Sequence, residues 1–422
     1  MRMNRGFYTI MAAQFFSSLA DNALLIAAIA LLSELHSPQW MTPLLKLFFG
    51  LSYVVLAAFV GAFADAWPKG RVMFITNLIK IFGCASMFIG LHPLAAYAIV
   101  GLGAAAYSPA KYGILTELLP AEKLVMANGW IEGLTVASII LGAVLGGALI
   151  NPTVSAALLS FDMPIIDTGV DTPIKASLSV ISTMYLFATL FNLKIPETGV
   201  HYPPQKCHPW HLIVDFAGCT RTLWKDKLGQ ISLGVTTLFW GAGATLQFIV
   251  LKWAEKSLNL PLDRAAILQG VVALGVAAGA VAAARYIPLK KSLSVMPLGI
   301  VMGIVVMSMT LITNVWLAYP LLLTVGVLSG FFVVPMNALL QHRGHVLMSA
   351  GHSIAVQNFN EQVSVLGMLL LYAALIKFNV SVNLIIVLFG LFVALTMLVM
   401  MRKHKANQRE FDSLALIGAH KH

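Results

Sequence analysis

The chain reads as long apolar runs parted by short polar breaks, and no stretch shows the two-residue alternation of a half-buried strand. A bilayer core of about 30 Å asks for about 20 apolar residues per helix. Such runs occupy 7–34, 43–65, 71–91, 94–118, 126–150, 173–194, 229–254, 264–287, 292–313, 316–341, 350–377 and 379–401, which predicts twelve transmembrane helices. Two divisions rest on short polar breaks, Leu119 to Lys123 and His342 to His345. The longest interruption, 195–228, holds Pro196, Pro203, Pro204 and Pro209 and parts six spans from six. The expected fold is therefore an all-α membrane protein of two six-helix halves, 1–194 and 229–402, with an interdomain loop 195–228 and a tail 403–422. Within the loop, Trp210, Ile213, Val214, Ala217 and Trp224 fall to one side, with Asp215 and Arg221 elsewhere, the pattern of an interfacial amphipathic helix.

Composition sharpens this picture. The chain is 59% hydrophobic and only 10% charged, where a soluble domain carries about 25% charged residues. That excludes a cytosolic enzyme, a secreted disulfide scaffold, a disordered chain and a nucleic-acid binder. The formal charge of +10 follows from where the bases sit. With the N-terminus inside, nineteen of the 27 Lys and Arg fall on cytoplasmic segments and five on the opposite side. Lys46, Lys80 and Lys111 lie within spans. Both termini are thus expected in the cytoplasm. The outside loop 151–172 agrees, with Asp162, Asp167 and Asp171 and little positive charge. The basic start lacks a small-residue cleavage site and reads as the first span, not a removable signal. Cys84 lies in an apolar run and Cys207 and Cys219 in the central loop, so no disulfide framework is indicated.

The halves echo each other weakly: Pro109 and Pro335 stand 226 positions apart, Gly142 and Gly367 225 apart. Twelve spans, internal termini and a central loop are what a transporter of two six-helix halves requires.

An ionisable group at bilayer depth costs at least about 2.5–3.5 kcal/mol on insertion scales, so each one wants a partner or a role. Gln14, Ser17, Ser18 and Asp21 form one continuous polar face of the first span, with Asn22 beside it. The face fits a wet cavity; a hydrogen-bonded helix seam is the competing reading. In the fourth span, Pro109 should bend the helix next to Lys111 and Tyr112, although Lys111 could equally snorkel to the cytoplasmic surface. Asn128, Glu132 and Thr135 make a face of the fifth span, and Gln357, Glu361 and Ser364 one of the eleventh, where Asn358 and Asn360 adjoin it. Either Glu could instead serve a structural ion pair. Asn337 and Gln341 lie one turn apart near the end of the tenth span, whose Pro335 is the second expected kink. Gln341 and Arg343 are read as loop-facing, and His342 and His345 as solvated. Gly133, Gly142 and Gly146 are read chiefly as helix-packing positions.

Other signals fail. Gly101-Leu102-Gly103-Ala104-Ala105-Ala106 imitates a dinucleotide-binding loop, but it lies inside a membrane helix with no strand before it. No phosphate-binding loop of an ATP motor occurs, and His208, His211, Cys207 and Cys219 lack the spacing of a metal site. No metal or cofactor is expected. The His-x4-Asp pair of glycerolipid acyltransferases is absent, and no Ser/His/Asp arrangement can be assembled, so the chain is not read as an enzyme.

Some stretches resemble a known family. The turn Gly61-Ala62-Phe63-Ala64-Asp65-Ala66-Trp67-Pro68-Lys69-Gly70-Arg71 resembles the signature loop of the major facilitator superfamily: Gly61, Asp65, Lys69 and Arg71 match, while Ala66 stands where a base is common and the glycine is displaced. ADNALL at 20–25, AAAYSPAKYGIL at 104–115, LFWGAGATLQF at 238–248, FFVVPMNALLQHRG at 331–344 and IAVQN at 354–358 resemble one branch, the bacterial lysophospholipid transporters. The resemblance covers nearly all of 7–400 and implies a flippase of the Gram-negative inner membrane. Such a protein moves lysophosphatidylethanolamine and lysophosphatidylglycerol from the outer to the inner leaflet, where an acyltransferase with acyl-carrier-protein synthetase activity reacylates them. It implies an amino-half polar site of Asp21, Asn22 and Lys111. By charge, the Asp is expected to attract an ethanolamine ammonium and the Lys a phosphate, each balancing the other in the empty site. The family carries Arg where this chain has Gln247, which removes a basic contact from the seventh span. The expected partners are the lysolipid, the bilayer and the acyltransferase, and the chain is read as a monomer. A proton-coupled exporter of drugs or amphiphilic metabolites is the alternative, weakly favoured by the fifth-span glycines, although its usual Pro is here Gly147.

Overall fold

A computed structural model describes residues 4–37, 41–160, 169–203, 208–260 and 262–417. The aspartates Asp162 and Asp167 and the thiol of Cys207 lie outside the described residues. In chain order the first helices are α1 (Arg5–Glu34), α2 (Met41–Val55), α3 (Ala57–Ala66), α4 (Lys69–Phe88) and α5 (Pro93–Leu118). They are followed by α6 (Leu124–Ile150), α7 (Pro152–Leu159), α8 (Pro173–Asn192) and α9 (Pro209–Lys225). The rest are α10 (Gly229–Ser257), α11 (Leu262–Tyr286), α12 (Pro297–Met307), α13 (Val315–Leu347), α14 (Ala350–Lys377) and α15 (Val382–Glu410).

All-helical architecture is as expected, but the count of twelve spans is not reached. Among the described residues ten helices are long and apolar enough to cross a membrane, or eleven if a bent pair is one span. That pair is α2 and α3, which meet at 66°. Leu56 between them breaks the helix with neither Pro nor Gly at the break. The fourth expected span is the 26-residue helix α5, which falls short in hydropathy because Tyr107, Ser108, Pro109 and Lys111 interrupt it. Both α5 and α13 run on through their internal prolines, Pro109 in the first and Pro320 and Pro335 in the second. The polar break expected at His342 to His345 is not a loop. Helix α13 continues to Leu347, and α14 starts after Ser349, whose hydroxyl accepts from the His352 N–H. His342 is accordingly buried.

The chain divides into two compact units. One comprises Met1–Ile114 and Ala137–Val214, the other Leu115–Val136 and Asp215–His422, so that α6 is shared between them. In the first unit α8 packs on α1 and α4 around Leu24, Leu178, Ile181 and Tyr185. Small residues set the close approaches. A Cβ at Gly142 of α6 would lie 2.6 Å from Asn22, and one at Gly101 would lie 2.7 Å from the Phe49 backbone. The run 101–106 is thus helix packing, not a nucleotide loop.

In the second unit the tightest pair is α11 with α13. Gly275 and Gly279 meet Gly326 and Gly330, and a Cβ at any of the four would fall 2.1 to 2.4 Å from a backbone oxygen of the facing helix. Trp253 of α10 anchors the core, fully buried, and donates its indole N–H to the Met309 carbonyl at 3.0 Å. Helix α9 presses Phe216, Cys219 and Leu223 against Leu233, Leu340 and Val356 and leaves Trp210, Ile213, Val214 and Trp224 exposed.

Candidate functional site

The polar face of α1 meets a second polar face on α4. Ser17 donates to Asn77 Oδ1 at 2.8 Å, and Lys80, three residues on along α4, donates to Ser17 Oγ at 2.9 Å. The same ammonium donates to Asp21 Oδ2 at 2.7 Å, while the Tyr185 hydroxyl of α8 donates to Asp21 Oδ1 at 2.6 Å. Lys80 is 2% exposed and Asp21 18%, so the carboxylate stands in front and the ammonium behind. The Lys80 nitrogen lies 5.0 Å from the centre of the Tyr107 ring and 5.9 Å from that of Tyr185. Charges at this depth persist only when paired and hydrogen-bonded, and here each is.

Sequence reasoning therefore placed Asp21 on a polar face but gave it the wrong counter-ion. The carboxylate pairs with Lys80, not with Lys111, because α4 rather than α5 presents a base to that turn of α1. Lys111 is half-buried, its nitrogen 4.2 Å over the ring of Tyr112. Gln14 is buried in the same face as Asp21, Ser18 is half-buried, and Asn22 turns its amide back to the Ser18 carbonyl at 2.8 Å. Lys80, Asn77, Tyr107 and Tyr185 were missed. The i, i+3 spacing of Asn77 and Lys80 was a usable signal; a single mid-span tyrosine is not.

Further along the chain the predicted residues form local pairs. Gln357 donates to Asn337 Oδ1 at 3.2 Å and to Glu361 at 2.8 Å, uniting α14 with α13. Asn358 lies on the same helix, half-buried. Gln247 of α10 exchanges hydrogen bonds with Gln269 of α11, donating at 3.0 Å to its side chain and accepting at 2.6 Å on its own carbonyl. An amide pair thus occupies the place where the resemblance implies a base. Glu132 lies on α6, but its side chain is outside the described ones. Gln341 and Arg343, read as loop-facing, are both buried. Gln341 faces Asn128, and Arg343 forks onto Asp226 at 2.6 and 3.1 Å. A separate apolar cavity of about 50 Å³ lies between α10, α12, α13 and α15, lined by Phe239, Met302, Phe332 and Phe389 among others, and includes none of the predicted site residues.

The signature turn is built around one buried ion pair. Lys69 bonds Asp65 at 2.6 Å and the Ala64 carbonyl at 2.7 Å, with its nitrogen 4.9 Å from the Tyr202 ring. Gly61 is buried one turn before Asp65. Arg71 reaches outward to Glu197 at 3.5 Å, both largely exposed.

Residues 10–367 match the family model described as Major Facilitator Superfamily. The chain is 41% identical over 382 residues to the protein named Lysophospholipid transporter LplT of Yersinia pestis (strain Pestoides F), a match covering 90% of this chain and 89% of that protein. The protein of that name from Yersinia pseudotuberculosis serotype O:3 (strain YPIII) matches to the same extent. Among solved structures, a bacterial homologue of the iron transporter ferroportin in an outward-facing state aligns with a TM-score of 0.70 at 15% identity, covering 96% of this chain and 100% of that one. The Escherichia coli fucose:proton symporter FucP aligns with a TM-score of 0.72 at 11% identity, covering 95% and 98%.

Proposed function

The chain belongs to the major facilitator superfamily, and within it we propose that it is a transporter of lysophospholipids, flipping them from the outer to the inner leaflet of a bacterial inner membrane by alternating access. One observation carries the reading: halfway along an apolar 30-residue helix stands a partly exposed carboxylate backed by a buried ammonium. A lysolipid has a charged head that cannot cross hydrocarbon unaided and a single acyl chain that can. A polar mid-depth site in otherwise greasy walls suits such a cargo, and the 23 Phe and 19 Met supply adaptable apolar lining. Likeness to the named lysophospholipid transporters over nine-tenths of the chain supports the same cargo.

In this reading Asp21, flanked by Gln14, Ser18 and Asn22, receives the ammonium of an ethanolamine head. Lys111 and Tyr112, further along α5, draw the phosphate toward the cytoplasmic side. Within the second unit, Glu132, Gln247, Asn337, Gln357, Asn358 and Glu361 are the residues that would offer further polar contacts to the cargo. Gly61, Asp65, Lys69 and Arg71 act in gating, and Pro109 and Pro335 are the bending points. Both termini face the cytoplasm, the working unit is a monomer, and an acyltransferase with acyl-carrier-protein synthetase activity takes over the delivered lysolipid.

The test is reconstitution. Liposomes holding only this protein should move fluorescent lysophosphatidylethanolamine between leaflets faster than empty liposomes, measured with and without a proton gradient. Equal rates in the two preparations, from folded protein, would refute the reading; gradient-driven export of drugs without lysolipid movement would replace it.

A further inference from the structure

Around Lys80 there are more buried hydrogen-bond donors than acceptors. Two of its three N–H groups go to Ser17 and Asp21. The third has no oxygen acceptor among the described residues, only the ring of Tyr107 nearby. The hydroxyl of Tyr107 and the amide nitrogen of Asn77 are both buried and have no hydrogen-bond partner among the described residues. Asn77 has already spent its oxygen on Ser17, so its free capacity is as a donor. A buried polar group left unmade is costly, and three in one place call for a common acceptor. An anion with several oxygens meets that need.

Resting on the lysophospholipid reading above, we propose that Lys80, Tyr107 and Asn77 form a phosphate subsite directly behind Asp21, which the head group reaches by ion exchange. The ethanolamine ammonium replaces Lys80 at Asp21, and the phosphate replaces Asp21 at Lys80. One buried pair becomes two, and no charge is left alone at depth, which is where the large penalties arise. The order of burial fits, since the exposed partner is the carboxylate that meets the cargo first. Gly103 of α5 packs directly on the lysine stem, where a Cβ would lie 2.9 Å from Lys80 Cγ and 2.8 Å from the Thr76 carbonyl, so the ammonium is held in place behind Asp21. A head group lacking an ammonium would take Lys80 and leave Asp21 with Tyr185 alone, so the subsite serves any phosphate head whereas the carboxylate selects among them.

Tyr107→Phe tests this with little risk to folding, because it removes a hydroxyl that has no hydrogen-bond partner among the described residues. Loss of a hydrogen bond to a charged group should raise the half-saturating concentration of lysophosphatidylethanolamine about tenfold or more. The double variant Asp21→Asn with Lys80→Gln keeps two hydrogen-bonding groups but no charge. It should melt near the wild-type temperature yet lose transport, whereas a purely structural pair would leave transport intact. Wild-type half-saturation in a folded Tyr107→Phe protein, or wild-type transport by the double variant, overturns the subsite. Thermal stabilisation of purified protein by soluble glycerophosphoethanolamine separates this from the parent reading. If the wild type moves no lysolipid but is still stabilised by that head group through Tyr107, the subsite stands and the transport reading falls.

Discussion

The side chains of Asn128 and Gln341 exchange two hydrogen bonds of 2.9 Å each, amide to amide, although 213 positions separate them. Both are buried, and Asn128 adds a third bond to the Leu124 carbonyl. Next to it Gly129 lets α6 lie against Ala280 and Ala284 of α11, where a Cβ would come within 2.5 Å. The first half of α6 is thus clasped to α11 and α13. Removing one amide strands the other, at about 1–3 kcal/mol. Asn128→Ala and Gln341→Ala should each lower the melting temperature of the purified protein, and the double variant should lose less than their sum. Strict additivity would mean that the two amides do not act as a pair.

Lys69 and Arg71 match the signature turn equally well as letters but should differ sharply when disturbed. Asp65→Asn takes a 2.6 Å carboxylate partner from the buried Lys69 ammonium, and breaking a buried pair costs about 3–5 kcal/mol, so the variant should sharply reduce folded protein. Arg71→Ala breaks a pair whose side chains are 64% and 68% exposed, and such pairs contribute about 0–1 kcal/mol. Equal yields of the two variants from membranes would contradict this ranking.

Glycines of α11 divide in the same way. Gly279→Ala would press a methyl group 2.1 Å from the Val327 carbonyl oxygen, whereas Gly270 on the same helix has nothing within 4 Å of an added Cβ. The first substitution should depress the melting temperature by several degrees, and the second should leave it unchanged or raise it, since Ala favours helix by about 1 kcal/mol over Gly. Melting curves of the two purified variants, measured side by side, decide the point.

Which parts were legible in the sequence follows from what periodicity encodes. Spacing along α1 identified a polar face through Asp21, because residues three and four apart share a helix side whatever lies opposite. It could not say which helix lies opposite, and so Lys80 went unrecognised as the partner. Arg343 was misread for another reason. Its neighbours His342 and His345 imitate a loop, but in the fold the whole stretch is helix, and Asp226, in the turn just before α10, receives the guanidinium while accepting the N–H groups of Leu228 and Gly229. The break at Leu56 had no Pro or Gly beside it to announce it. The short polar stretch from Leu119 to Lys123, with its proline, did mark a true helix boundary.

The four glycines between α11 and α13 have a mechanical corollary. Helices touching backbone to backbone cannot slide or roll past one another as those meeting through long, pliant side chains can, so the two form a single double-thickness girder. Whatever displaces Gln341 at one end of it must carry Arg285 along. Flexure in that unit is then left to the members around the girder, such as α10 and α14, where Gly243 and Gly367 have no neighbour within 4 Å of an added Cβ.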